Sequence, residues 1–159
     1  MRTASQKACM AIFLFALMMA STVYGNSCSP KDAQAADALI DNLDSWEQIA
    51  EMARKFSQCD DGSIAEGISE AIARLFVDKW QTLPQLAKLI KHNSILKQFV
   101  LRHIDDTLNT ADLDKIKELS LLSCPQELRS LCKDINRAVM STNNSHDATT
   151  QPVNKPDRK

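Results

Sequence analysis

The chain has 159 residues, 44% hydrophobic and 25% charged, which excludes wholesale disorder and suits one domain. Three glycines are too few for the repeated tight turns of a β-sandwich or for a glycine-rich phosphate loop. A formal charge of −1 argues against a dedicated nucleic-acid binder, which needs a basic face to displace counterions.

Residues 1–25 read as a secretory signal peptide. Arg2 and Lys7 form a positive start, and Ala8 to Ala20 is a 13-residue apolar run. That run is short of the roughly 20 residues that cross a bilayer, so a membrane anchor is the weaker reading. A lipid anchor is weaker still: no leucine lies three residues before Cys28. Val23-Tyr24-Gly25 offers a cleavage site after Gly25. Cleavage removes Arg2 and Lys7 and no acid, leaving 17 basic against 20 acidic side chains, a net charge of −3. The remaining aromatics are Trp46, Trp80, Phe56, Phe76 and Phe99, a lean set for a carbohydrate or base-stacking surface.

The rest is a run of helices. Ser29-Pro30 starts the first, because serine caps and proline is tolerated at the first helical position. Ala36, Leu39, Ile40 and Leu43 mark its apolar side, and Asp44 with Glu47 reads as a capping box for the second. Trp46, Ile49, Ala53 and Phe56 recur at helical spacing up to Cys59. A third helix opens at Asp60-Asp61-Gly62, with Ile64, Ile68, Ile72 and Leu75 as its buried stripe and Glu66, Glu70, Arg74 and Asp78 facing outward. Leu83-Pro84 starts a fourth with Leu86, Leu89 and Ile90, and Asn93 separates it from a fifth with Ile95, Leu96, Phe99, Val100 and Ile104. Thr110-Ala111-Asp112 starts a sixth, Pro125 ends it, and Leu128, Leu131, Ile135 and Val139 define a seventh. Residues 141–159 contain one valine as their only large hydrophobe and read as a disordered tail. The expectation is an all-α, disulfide-stapled bundle of six or seven short helices over residues 26–140.

Four cysteines follow the signal: Cys28, Cys59, Cys124 and Cys132. An even count after an export signal implies two disulfides, in one of three connectivities that the sequence alone does not choose, and the helix reading favours one. A hairpin of the first two helices brings Cys28 beside Cys59, whereas a continuous helix would hold them about 45 Å apart. Cys124 then pairs with Cys132, provided the chain turns back at Pro125, since eight residues of unbroken helix span about 12 Å. Zinc is the rival reading, but no CxxC pair exists and no histidine is near the cysteines in sequence.

Asp60 to Gly67 is the least ordinary stretch. Acids at a helix start complement its dipole, which accounts for Asp61 or Asp60 as the cap. Gly67 lies inside the helix, where glycine costs about 1 kcal/mol relative to alanine. It permits close approach of another backbone, either an internal helix or another chain. A calcium loop is not supported, because the acids lack alternate spacing and a twelfth-position glutamate. Glu66 and Glu70 lie one turn apart on the outward face, and paired acids there are ordinarily solvated rather than catalytic. His92 and His103 sit beside Lys91 and Arg102, and His146 is in the tail. Trp46 and Trp80 fall on apolar faces and read as core. No serine or cysteine lies in a nucleophile motif. No catalytic residue, metal ligand or cofactor is assigned.

With its export signal and helical size, the chain resembles the periplasmic immunity proteins of type VI secretion amidase effectors. The residues that carry the resemblance are Leu43-Asp44-x-Trp46 and Asp60-Asp61-Gly62 leading to Ile64-Ala65-Glu66-Gly67. It covers residues 28–135. It implies a non-enzymatic periplasmic protein that binds a peptidoglycan-cleaving enzyme and occludes its active site, often as a homodimer. The partner-binding residues expected on this reading are Asp60, Asp61, Glu66, Gly67 and Glu70, with no nucleic acid and no membrane as partner. The alternatives are a periplasmic helical adaptor or chaperone-like protein without a toxin target, and a secreted enzyme of unknown chemistry.

Overall fold

In a computed structural model the backbone is described for residues 27–149, and side-chain surroundings as far as residue 142. The expected signal segment 1–25 and residues 150–159 lie outside the described residues. Seven α-helices are present: α1 Pro30–Asp37, α2 Trp46–Phe56, α3 Gly62–Asp78, α4 Leu83–His92, α5 Ser94–Arg102, α6 Thr110–Leu122 and α7 Arg129–Thr149. Short 3-10 turns join several of them, and there is no β-strand among the described residues. No described helix is long and apolar enough to cross a membrane.

The third helix is the centre of the bundle. Its Ile64, Ile68, Ala71, Ile72, Leu75 and Phe76 are all buried. It packs on α1, α2, α6 and the 3-10 turn Ile40–Asn42. A helix with apolar residues on more than one side must be enclosed on more than one side. Trp46 stacks against Phe76 with ring centroids 4.9 Å apart, and its Nε1 donates to Thr82 Oγ1 at 2.8 Å. Trp80 lies 6.0 Å from Phe76 and donates to the Ser123 carbonyl at 2.9 Å. Both indoles therefore serve the core and have their single donor satisfied.

Both expected disulfides are present, Cys28–Cys59 with Cα atoms 4.8 Å apart and Cys124–Cys132 with 6.2 Å. The first closes the α1–α2 hairpin. The second ties the loop after α6 to α7, across the 3-10 turn Gln126–Leu128 that follows Pro125. Such bonds are compatible with export to an oxidising compartment.

Several details differ from the expectation. The first helix ends at Asp37 and the apolar line continues through a 3-10 turn, which leaves Leu39 exposed. The N-cap of α2 is Ser45 rather than Asp44. Ser45 Oγ accepts from the Gln48 N–H, and Gln48 Oε1 accepts from the Asp44 N–H at 3.0 Å, so the reciprocal capping pair is shifted by one residue from Asp44/Glu47. Ile95 points to solvent, because α5 starts at Ser94 and buries Leu96, Phe99 and Val100 instead. The boundary at residue 140 also moves. The seventh helix continues to Thr149, and Thr142 is buried with its hydroxyl donating to the Val139 carbonyl at 2.7 Å. That internal bond removes the cost of burying a hydroxyl, so a polar sequence extends the helix past the last large apolar residue.

Candidate functional site

The structure divides the five expected contact residues. Asp61 is the N-cap of α3 and accepts from the Gly62 N–H at 2.8 Å. Gly62 has φ +53°, a left-handed conformation that explains glycine there. Glu66 and Glu70 stand exposed on the outer face of α3. They have no ion-pair partner among the described residues.

Gly67 is explained from within the chain. A Cβ there would lie 2.6 Å from Ile40 Cγ2 and 3.0 Å from Ile40 Cδ1. Glycine is needed so that the 3-10 turn Ile40–Asn42 can seat against α3. Of the two approaches open in the sequence, the internal one is observed, and it accounts for glycine at 67 without a partner.

Asp60 is withdrawn from the outer surface. Its side chain is 6% exposed and is paired with the Arg102 guanidinium, while its Oδ1 faces His103 Nε2 at 3.2 Å. These two facing atoms lie at ion-pair distance but out of hydrogen-bond alignment, and neither has a hydrogen-bond partner. Burial pushes the Asp60 carboxyl up, but His103 and Arg102 together outweigh it and hold the group below its ordinary value.

Behind Asp60 is a polar network that spacing does not reveal. His103 Nδ1 lies 2.9 Å from Ser69 Oγ, and Ser69 Oγ donates to Asp105 Oδ2 at 3.0 Å. Asp105 also accepts from the Thr107 N–H at 2.9 Å. Since the Ser69 proton goes to Asp105, the contact with the ring is made by Nδ1–H donating to the serine oxygen. Phe99 packs on the His103 ring at 4.7 Å, and the Arg102 guanidinium lies over the Phe99 ring at 4.7 Å. A serine, a histidine and two aspartates thus meet, but the roles differ from those of a hydrolytic triad. The serine hydroxyl serves a carboxylate rather than the imidazole. Ser69 is 1% exposed and His103 2%, and the residues lining the clefts described next include neither. The network joins the start of α3 to the end of α5 as buried polar groups joined to one another. One sequence signal pointed to it: Ser69 stands on the buried stripe of α3 between Ile68 and Ile72, where a hydroxyl needs a partner.

Clefts open on the surface of the described residues. One of about 300 Å³ lies beside Arg102, Asp105 and Thr142. A larger one of about 680 Å³ runs between α6 and α7. It is lined by Leu121, Met140 and the Cys124–Cys132 bridge, by Ser120 and Asn136, and by Arg129, Lys133 and Arg137. Asn136 Nδ2 donates to Ser120 Oγ at 3.3 Å across its floor. No group of three or more His, Cys, Asp or Glu among the described residues is arranged to hold a metal ion. Comparison with protein-family models, curated proteins and solved structures finds no match for this chain.

Proposed function

We propose that this chain is an exported, non-catalytic binding protein of the immunity type, which protects its host in the periplasm by occluding a peptidoglycan-cleaving enzyme. The observation that carries the reading is the pair Glu66 and Glu70. They are exposed and unpaired among the described residues, one turn apart on a helix whose start is anchored by the Cys28–Cys59 bridge and by the Asp60 contacts to Arg102 and His103. A carboxylate pair on a preorganised scaffold enters a basic or polar cleft with little ordering cost, and complementary charge speeds association. Asp61 stands exposed at the N-terminal end of the same helix. Gly67 and Asp60 support it from behind rather than touching a partner.

The experiment is capture from periplasmic extract with the mature chain as bait, followed by a cell-wall digestion assay. Recovery of a peptidoglycan-cleaving enzyme whose activity falls on stoichiometric addition of the chain supports the reading. A captured enzyme that cleaves at full rate when saturated overturns it. The cleft between α6 and α7, with exposed Leu121 and Met140, favours a second reading as a helical adaptor without a toxin target.

A further inference from the structure

The outer row of α7 and the apolar edge of α6 form a surface that the inhibitory reading does not use. Arg129, Lys133 and Arg137 follow one another every fourth residue, so the three cations stand in a line about 12 Å long on one helix face. Arg129 and Lys133 have no ion-pair partner among the described residues. Arg137 pairs with Asp134 at 3.0 Å, and Asp134 is itself held by Lys97 from α5. Across the cleft, Leu121 is 60% exposed, and Leu122 beside it is 79% exposed. Met140 continues the apolar edge at the far end. The floor is braced by the Cys124–Cys132 bridge and by the Asn136–Ser120 bond.

We propose that this cleft docks an amphipathic helical segment of a protein partner, with carboxylates at every fourth position beside apolar residues. The linear spacing of the cations carries the choice of occupant. Carboxylates four apart on an opposing helix repeat at the same interval, so several pairs form in register, whereas a single phosphate would meet one or two cations. Leu121 and Met140, which line the cleft, supply the apolar contact that a purely ionic surface lacks. This inference is independent of the proposed enzyme inhibition, since it concerns α6 and α7 and not the outer face of α3.

The test uses the mature chain and a labelled synthetic helical peptide of about 18 residues, with Glu at every fourth position and Leu alongside, plus a twin carrying Lys for Glu. Fluorescence anisotropy at low salt is expected to show binding of the Glu peptide and none of the Lys twin. The R129E/K133E variant is expected to bind the Glu peptide at least tenfold more weakly, with R129Q/K133Q between the two and the melting temperature of each near that of the parent. Affinity falls as salt rises. No binding of the Glu peptide at about millimolar concentration overturns the proposal, as does equal binding of the two peptides or by the charge-reversed variant. Self-association in sedimentation that R129E/K133E abolishes assigns the cleft to a second copy and overturns it. Co-sedimentation with anionic phosphatidylglycerol vesicles, lost in the same variant and without peptide binding, assigns it to a lipid surface and also overturns it.

Discussion

His103 Nε2 faces Asp60 Oδ1 at 3.2 Å, and this contact joins the loop that follows the Cys28–Cys59 bridge to the C-terminal end of α5. Both side chains are withdrawn from solvent, so the pair acts in a medium less polarisable than water, and removal of Asp60 leaves His103 Nε2 facing no acceptor while Asp60 keeps Arg102 when His103 is removed.

The pair predicts an acid-sensitive fold. The Asp60 carboxyl is held below its ordinary value in the folded chain. The unfolded chain therefore binds the proton more readily. The stabilisation is complete above the unfolded carboxylate value of about 4 and is lost as pH falls through the lower folded value. Asp60→Asn is expected to destabilise the fold at neutral pH by about 1–3 kcal/mol, with the gap to the parent shrinking in acid. Denaturant unfolding at a series of pH values checks this. A gap that stays constant down to about pH 2 assigns the loss to packing rather than to charge.

Gly67→Ala separates an internal role from a docking role. The added methyl meets Ile40 Cγ2 at 2.6 Å, and a β-branched side chain has little freedom to yield. The gain in helix propensity, about 1 kcal/mol, is offset by overpacking of about 1–3 kcal/mol, so a net loss of about 1 kcal/mol is expected. Ile40→Ala in the same chain removes the clash, and the double variant is expected to be more stable than the two single losses predict. Strict additivity of the two changes would show that Ile40 does not set the requirement for glycine.

The two disulfides are expected to rank by loop length. Cys28–Cys59 spans a sequence separation of 31 and Cys124–Cys132 one of 8. On the chain-entropy account these are worth about 3.7 and about 2.6 kcal/mol. Paired serine substitutions, measured by denaturant unfolding, are expected to show the larger loss for Cys28 and Cys59. The reverse order would locate the main stabilisation in the α6–α7 junction instead.

Ending the chain after Met140 is expected to lower the melting temperature by a few degrees, because Thr142 is buried and its hydroxyl is bonded within the helix. Ending it after Thr149 is expected to change little, since residues 150–159 contain one valine and no other large hydrophobe. Equal melting temperatures for the two truncations would place the end of the stabilising structure before residue 141.

What was legible in the sequence is what repeats locally. Apolar residues at three and four mark each helix, Ser29-Pro30, Asn93 and Pro125 mark boundaries, and two helical arms meeting at a turn bring Cys28 to Cys59. The Ser69–His103–Asp105 network was not legible because its partners are 34 and 36 residues from Ser69 in sequence. Only the tertiary fold, which brings Ser69 on α3 to His103 and Asp105 in the segment after α5, puts them together. Asp60 was misplaced for a related reason. An acid before a helix is ordinarily a solvated cap, but Asp61 takes that position, and Asp60 is free to turn toward Arg102. For Gly67 the sequence left two kinds of neighbour open, and the choice depends on where the turn after α1 lands.

The last prediction concerns the outer face of α3. Glu66 and Glu70 are exposed, and no ion pair among the described residues uses their charge. Glu66→Gln with Glu70→Gln keeps the size and helix propensity of both side chains. The expected change in melting temperature is within about 1 °C, the effect of a few tenths of a kcal/mol at exposed sites. If the face enters a basic or polar enzyme cleft, each lost carboxylate removes a charge-assisted contact, worth about 1.5–3 kcal/mol where it is desolvated. Affinity for the captured enzyme is then expected to fall at least tenfold, mostly in dissociation, with a slower association that is most evident at low salt. Ala-for-Glu replacement at the same two positions serves as the more severe comparison. Calorimetry at low and high salt checks the effect directly. Affinity that is unchanged in both double variants at low salt would remove α3 as the inhibitory face, while leaving the buried contacts of Asp60 and Gly67 as they are.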